Sequence, residues 1–524
     1  MLIVRFDWEA TMKVARRVVG EACAYASLRT SSIRRAQGRL AKFATQRRRF
    51  IICIPYLKSG GGERVAANLA HALAHLYGPD SVAVLVTDWS GFVVRLIFPE
   101  NVLTSYPPDV AVLKIVALSR APYDERVWDL MMALMSMRPE MVINVNSWTM
   151  WECYERFAPE LSAHMRLGTI AFGNVGDKTG KPIGFLATHL ERLLPYLDFV
   201  ITDHAAIIED LRRKIASAPR TERVATQAEW STAKLLKTMM TATTREAHDL
   251  SRYLGHVPSK ADWAAARLLA KEMTSTALEA RDLAKFQCFY QYTRPAARSP
   301  LTSAQPRKGR PQILWASRVS RVKFPELVPY IAKLLPECDI HAFGAREIGY
   351  KFPVAKKLLI PEYDLGNRLE KAPNLYWRGP YKKFSDLPVE HFSAMLYTGI
   401  YDGLPNVLLE AGAHRIPIVA PSRVGGIGEL IDNDTGWPVE NQYDPREYAE
   451  RLREVLASPA EAERRADALS RIVTARHSFE AFCDAVRTLV EANVAVQRTA
   501  RDVPKAKRVN GLIQHANGAI SASP

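Results

Sequence analysis

From Phe50 onward, short apolar runs alternate with stretches of helical period. FIICIPYL, SVAVLVTD, VAVLKIVAL, MVINVNS, MRLGTIAF and FVITD are mostly continuous rather than alternating, the pattern of strands covered on both faces. Between them, GERVAANLAHALAHLY, YDERVWDLMMALMSM, WTMWECYERFAPEL and FLATHLERLLPYL have helical spacing. Strand and helix repeated in this order predict a parallel, doubly wound sheet over residues 50–213. After Leu211 the alternation stops, and 214–283 offers helical stretches such as EWSTAKLLKTMM with little that resembles a strand. A helical insertion is expected there, since a long structureless loop is improbable inside a compact domain. RPAARSPLTSAQPRKGRP, residues 294–311, reads as a linker, and with the stretch leading into it the connection is placed over 284–311. ILWAS, ELVPYIAKLL, DIHAFGA, NLYWRG, FSAMLYT, NVLLEAGA, IPIVA and EYAERLREVLAS then repeat the alternation and predict a second doubly wound α/β domain over 312–475. FEAFCDAVRTLVEA supplies a closing helix within 476–493, and 494–524 reads as a disordered basic tail.

The chain has 524 residues, 48% hydrophobic and 24% charged, enough for two or three globular domains with real cores. No run approaches the ~18 apolar residues of a membrane span, and the opening MLIV is too short for a signal-peptide core. A cytoplasmic protein is therefore expected. Six scattered cysteines without a close pair argue against a disulfide framework and against a zinc site. The net charge of +16 is concentrated at the ends. Residues 1–50 hold twelve bases against three acids, and the tail from Val494 holds five against one. Such ends are attracted to phospholipid headgroups or to nucleic acid, and the sign alone does not choose between them. Trp8, Met12, Ala15, Val19 and Ala22 fall at helical spacing with Lys13, Arg16 and Arg17 on other faces. The extension over 1–49 is thus either a basic amphipathic helix lying on an anionic membrane or a solvated helix docked on the body.

Candidate chemistry concentrates in YDGLPNVLLEAGAHRIPIVAPSRVGGIGELIDNDTGWPVE, Tyr401 to Glu440. Pro405 sits where a helix can begin, so Asp402, Gly403 and Leu404 lie at its mouth. Glu410 is an acid on a helix whose neighbours Val407, Leu408, Leu409 and Ala411 read as buried; it needs a partner. Free amides and the helix dipole at that mouth suit a phosphate or a polyol. Arg318 and Lys323 follow the first strand of the second domain, where two cations can hold a diphosphate and neutralise it as it leaves. The turn SGGG, Ser59 to Gly62, lets backbone approach a ligand or simply turns tightly, and it is not the G-x-G-x-x-G of a dinucleotide site.

The order R-x4-K after a strand, then D-G-L-P-N-V-L-L-E-A, then P-I-V-A-P-S-x-V-G-G-I-G-E-L-I and T-G, resembles the C-terminal half of the family 4 retaining glycosyltransferases. The match runs from about Ile313 to Glu440 and, more weakly, over Phe50 to Arg213 through S-G-G-G-E-R-V. The resemblance implies two Rossmann-like domains facing across a cleft (the GT-B type), with an acceptor domain over 50–213 and a donor domain over 312–475. It implies sugar transfer with retention from a nucleotide-diphosphate sugar to a glycan or lipid-linked acceptor. Cell-surface polysaccharide or lipopolysaccharide assembly on the inner face of the membrane is the setting it suggests. Glu410 would then accept from the ribose hydroxyls, Arg318 and Lys323 would bind the diphosphate, and Asp402 would contact the transferred sugar. Amides of Gly403, Leu404 and Asn406, with Pro405 between them, would line the sugar and phosphate, and Gly61 and Gly62 would approach from the other domain. No protein nucleophile, metal or other cofactor is implied, and nucleic acid is not the partner expected.

The chain departs from the family pattern at three places. Asp402 stands where Glu is common, Thr398-Gly399 replaces a frequent Pro-Ser pair, and AFGNVGD lacks the His many members carry after the fifth strand. Asn174 or Asp177 would touch the acceptor there, or would only end a strand and cap a helix. Asp432-Asn433-Asp434 fits D-x-D but lies in a turn; Asn144 and Asn146 face the cleft or make a turn. His71, His75 and His189 read as surface or core residues, and Trp148 and Trp151 as core with acceptor stacking as the alternative. Two other functions fit the same sequence: a nucleotide-sugar epimerase on this fold, and a non-catalytic binding protein recruited through its basic ends.

Overall fold

The computed structural model describes residues 34, 37–57, 60–88, 106–115, 123–172, 175–176, 182–183, 189–217, 280–293, 309–345, 372–400 and 403–492. The basic extension's amphipathic segment, nearly all of the 214–283 insertion and the tail from 493 lie outside these residues. By contacts the chain forms one compact unit over Met1–Cys483 and a second over Asp484–Pro524. The first contains both sheets.

The first sheet has seven parallel strands: β1 (Phe50–Ile54), β2 (Val82–Val86), β3 (Ala111–Lys114), β4 (Met141–Asn144), β5 (Arg166–Ala171), β8 (Phe199–Thr202) and β9 (Phe286–Cys288). Their spatial order is β3-β2-β1-β4-β5-β8-β9. Two-residue strands β6 (Val175–Gly176) and β7 (Pro182–Ile183) pair separately and antiparallel. Helices α1 (Gly61–Tyr77), α2 (Tyr123–Met137), α3 (Trp148–Ser162), α4 (Leu190–Leu193) and α5 (Ala206–Ser217) connect the strands. β1, β2, β4, β5 and β8 are buried at every position, as helices on both faces require.

Two expectations change here. Of the helix read over FLATHLERLLPYL, residues 185–188 lie outside the described residues, and within 189–197 the helix is only the single turn of α4; Pro195 has no N–H to add to its ladder. Phe286–Cys288, counted with the linker from 284 onward, is an edge strand paired with β8.

The second sheet has six parallel strands: β10 (Gln312–Ala316), β11 (Asp339–Phe343), β12 (Leu375–Gly379), β13 (Ala394–Leu396), β14 (Ile418–Pro421) and β15 (Trp437–Val439), in the order β12-β11-β10-β13-β14-β15. Its helices are α6 (Val328–Leu334), α7 (Asn406–Ala413), α8 (Pro445–Ala457) and α9 (Pro459–Arg476), and α10 (Phe479–Glu491) follows. Side chains alternate across the sheet. Ile313 and Trp315 of β10 enter one apolar cluster with α6 and α8, whereas Leu314 and Ala316 enter another with α7 and α9. Cys53, Cys153, Cys338 and Cys483 are buried free thiols, and Cys288 is half-buried.

In each sheet the strand order reverses beside the first strand: between β1 and β4, and between β10 and β13. Loops leaving the carboxyl ends of those strands diverge to opposite faces and open a crevice. The site is to be sought at these two points.

Gly168 on β5 lies against the fully buried ring of Phe199, and a Cβ there would fall 2.0 Å from ring carbons. Gly168→Ala is expected to destabilise the protein by about 1–3 kcal/mol, the usual cost of overpacking a closed core. Urea denaturation measures it, and an unchanged midpoint would show that Phe199 can move aside.

Candidate active site

The reversal in the second sheet gathers the candidate donor residues. After β10 the chain enters the loop of Arg318 and a 3-10 turn at Arg321–Lys323. Backbone bonds from Ser317 N–H to Phe343 C=O and from Val319 N–H to Ala345 C=O hold that loop on the neighbouring strand end. After β13, Thr398 ties the two loops together. Its hydroxyl accepts from the Trp315 indole at 3.0 Å and donates to the Lys323 carbonyl at 2.8 Å, while Ile400 N–H donates to Val322 C=O. Thr398 is one of the positions at which the chain departs from the pattern it resembles, and here it anchors the lysine loop. The Lys323 ammonium donates to the Tyr397 hydroxyl at 3.0 Å and lies over that ring. Tyr397 is itself fully buried, so the position of the ammonium is defined.

α7 begins with Asn406, and Pro405 occupies the N-cap with φ −65° and no side-chain cap. Leu408, Leu409 and Ala411 are buried, leaving Glu410 on the half-open face. Its partner comes from the first sheet. Arg64 Nη1 donates to Glu410 Oε1 at 2.7 Å, and the two side chains are 33% and 21% exposed. Tyr381, just past β12, is close enough that burial and the Glu410 carboxylate push its phenol well above the usual range, with Arg64 pulling the other way.

Arg64 follows directly from the glycine turn. Gly60 is the N-cap of α1 and carries no side chain to bond the first-turn amides. Glu63 is buried and folds back so far that a Cβ on Gly60 would lie 2.4 Å from its Oε2. A Cβ on Gly61 would meet nothing within 4 Å, and one on Gly62 would make only ordinary contact with Phe172 and Asn146. Neither glycine is required by packing among the described residues. Asn144, also at this end, is buried and makes a turn with Ser147, and Asn146 adopts a left-handed conformation, φ 58°.

A second set of contacts, outside the sequence reading, locks the two sheets together. Asp203 Oδ2 accepts the Leu404 N–H at 3.1 Å, so this amide, expected to line the donor, is bonded to a carboxylate at the end of β8. A Cβ on Gly403 would fall 2.4 Å from the same oxygen, and a Cβ on Gly426 would fall 2.5 Å from His204 Cβ; only glycine permits either approach. Gly426 N–H donates to Gly403 C=O. Glu429 reaches across to accept the Ala206 N–H at the start of α5 at 2.9 Å, and its other oxygen accepts from the Tyr290 hydroxyl. The V-G-G-I-G-E-L stretch thus docks one sheet on the other. Asp203, His204 and Glu429 all sit at strand ends or in a glycine-rich loop, a placement that could have flagged them.

Asp402, Asn174 and Asp177 lie outside the described residues. Asp432 Oδ1 accepts from the amides of Asp434 and Thr435 and from the Thr435 hydroxyl, and so closes a turn. His189 stacks on Trp151, which is buried, and bonds Glu155, whereas Trp148 is exposed. His75 packs edge-on to Phe479.

Residues 304–471 match the family model described as glycosyl transferases group 1. No curated protein sequence matches the chain. Among solved structures, the chain is similar to a sucrose-phosphate synthase from Thermosynechococcus elongatus, with TM-score 0.52 and 15% identity over 86% of this chain and 100% of that one. It is also similar to the lipopolysaccharide outer core galactosyltransferase WaaB (TM-score 0.50, 12% identity, 84% and 99% covered). A third similar structure is Anabaena HepE in complex with UDP and glucose (TM-score 0.50, 12% identity, 85% and 100% covered). Identities this low establish the fold: two parallel α/β sheets with helices, as in GT-B glycosyltransferase structures.

His204 provides a test of the docking contacts. Burial disfavours its charged form, but Nδ1–H donates to Asp203 Oδ1 at 2.7 Å, and Asp203, Glu429 and Asp210 add negative charge. The outcome is a pKa above the ordinary 6.5. A histidine raised on folding stabilises fully below its unfolded value and loses that contribution as pH rises through the folded one. The stability gap between wild type and His204→Gln is therefore expected to be largest below pH 6.5 and to shrink as pH is raised past it. Urea midpoints across that range measure the gap; one that does not vary with pH would contradict the assignment.

Proposed function

We propose that the protein is a glycosyltransferase that moves a sugar, with retention, from a nucleoside diphosphate sugar to a glycan or lipid-linked acceptor. The observation that carries this reading is the junction itself. Arg64, just after the glycine turn, meets Glu410 of the other sheet at 2.7 Å, and the Lys323 loop and the loop before α7 leave the paired strands β10 and β13, a reversal point of the kind where open α/β sheets bind ligands. The glycosyl transferase match over 304–471 spans all of the second-sheet residues involved, and the similar HepE structure is described with UDP and glucose.

In this reading Glu410 accepts from the ribose hydroxyls. Arg318 and Lys323 bind the diphosphate and stabilise the charge that develops on it as the glycosidic bond breaks. Tyr397 fixes the lysine for that task, and the Thr398 bonds hold its loop. Asp402, eight positions before Glu410, contacts the transferred sugar, with Gly403 and Asn406 beside it. The leaving phosphate takes the acceptor proton on the same face of the sugar as the new glycosidic bond forms, so the chain need supply no nucleophile.

Thermal stabilisation by a panel of nucleotide sugars is expected to identify a donor, because a ligand bound only by the native state raises apparent stability. With that donor and an acceptor, Lys323→Ala is expected to lower kcat by about 10²–10³, the effect of removing one stabilising group at developing charge. Glu410→Gln should chiefly raise the donor KM. Isomerisation of the donor without transfer, or wild-type kinetics in both variants, would overturn the reading.

A further inference from the structure

We infer that Arg64 is a donor-positioning residue: from the first sheet it fixes the carboxylate that receives the ribose and places a third cation beside the nucleotide. This rests on the nucleoside diphosphate sugar site proposed above, and it extends that site to a residue on the opposite sheet. Glu410 and Arg64 are 346 positions apart in the chain, yet their side chains meet at 2.7 Å. The bond uses one N–H of a guanidinium and one oxygen of a carboxylate. An ionised carboxylate offers about four acceptor positions and a guanidinium five donors. Glu410 can therefore keep Arg64 and still accept two ribose hydroxyls, and Arg64 retains donors for a phosphate oxygen.

Stability does not account for an arginine at this place. The pair is a fifth to a third exposed, and ion pairs reached by water contribute little to folding. Arg64 is the fourth residue of α1, at the end of a helix where the dipole disfavours a cation. The neighbouring Glu63, folded back on the N-cap, already supplies the acid that this helix end prefers. An arginine at a positive helix end, directed across to a carboxylate, is well placed if an anion is to come between the sheets. The glycine turn just before it leaves the Gly61 position open to approach.

The test measures Kd calorimetrically for UDP, GDP and ADP and for their 2′,3′-dideoxy forms, using the full chain and the variants Arg64→Ala and Arg64→Gln. Wild type is expected to bind at least one of the three and to lose tenfold or more in affinity when that nucleotide lacks its ribose hydroxyls. Both variants should bind the parent nucleotide at least tenfold more weakly, and for them the dideoxy penalty should fall below threefold, because Glu410 is no longer held. A purely structural arginine would lower the melting temperature and leave the dideoxy penalty intact. Wild-type affinity with the full penalty in either folded variant would overturn the inference while leaving the site assignment standing. Failure of wild type to bind any of the three would overturn both.

Discussion

One hydrogen bond, from the Leu404 amide to the Asp203 carboxylate, joins the loop that starts α7 to the carboxyl end of a strand in the other sheet. The rest of the site depends on the constraint this bond imposes. Parallel sheets direct all their carboxyl ends one way, and ligands bind where the order reverses. Two such sheets make a shared site only if those ends are brought together and kept in register. Asp203 does so at Gly403 and Leu404, His204 packs on Gly426, and Glu429 takes the open N–H of α5. With the sheets held in this way, Glu410 and Arg64 can meet across the junction.

The contacts that lock the sheets and those proposed to bind the donor differ in burial, and the difference separates their roles. Asp203 and His204 are buried, where an unmade polar contact is costly. Arg64 and Glu410 are partly open, where the energetic return is small and a ligand can enter. Lys323 combines both circumstances. Its ammonium is half-buried and bonded to a phenol that is itself fully enclosed, so a mobile side chain is given a defined position before any substrate arrives. That arrangement suits a group meant to stabilise charge without reorganising.

Much of the fold was legible because strands covered on both faces read as continuous apolar runs: FIICI, VAVLV and FVIT are buried at every position. Short elements were not. β9 is three residues in a segment that reads as a linker, and only its pairing with β8 makes it a strand. The stripe of α9, Ala462, Ala466, Leu469 and Val473, is regular but half of it is alanine, too small to stand out. Within the site, Glu410 was visible as an acid among buried neighbours, whereas its partner is separated from it by two sheets' worth of chain. The pattern V-G-G-I-G-E resembled a family but did not show its task, which is contact with His204, Ala206 and Tyr290. Thr398 looked like a lapse from the family pattern; only the positions of Trp315 and the Lys323 carbonyl show what it holds.

The central claim is that residues of both sheets form a single nucleotide site. Amide hydrogen exchange with and without a saturating nucleoside diphosphate addresses it directly, because protection reports each segment separately. Binding should slow exchange together in Gly60–Arg64, in Arg318–Lys323 and in Asn406–Glu410, with no comparable change at the far edge strands β3 and β12. Protection confined to the second sheet, with Gly60–Arg64 unaffected, would contradict it.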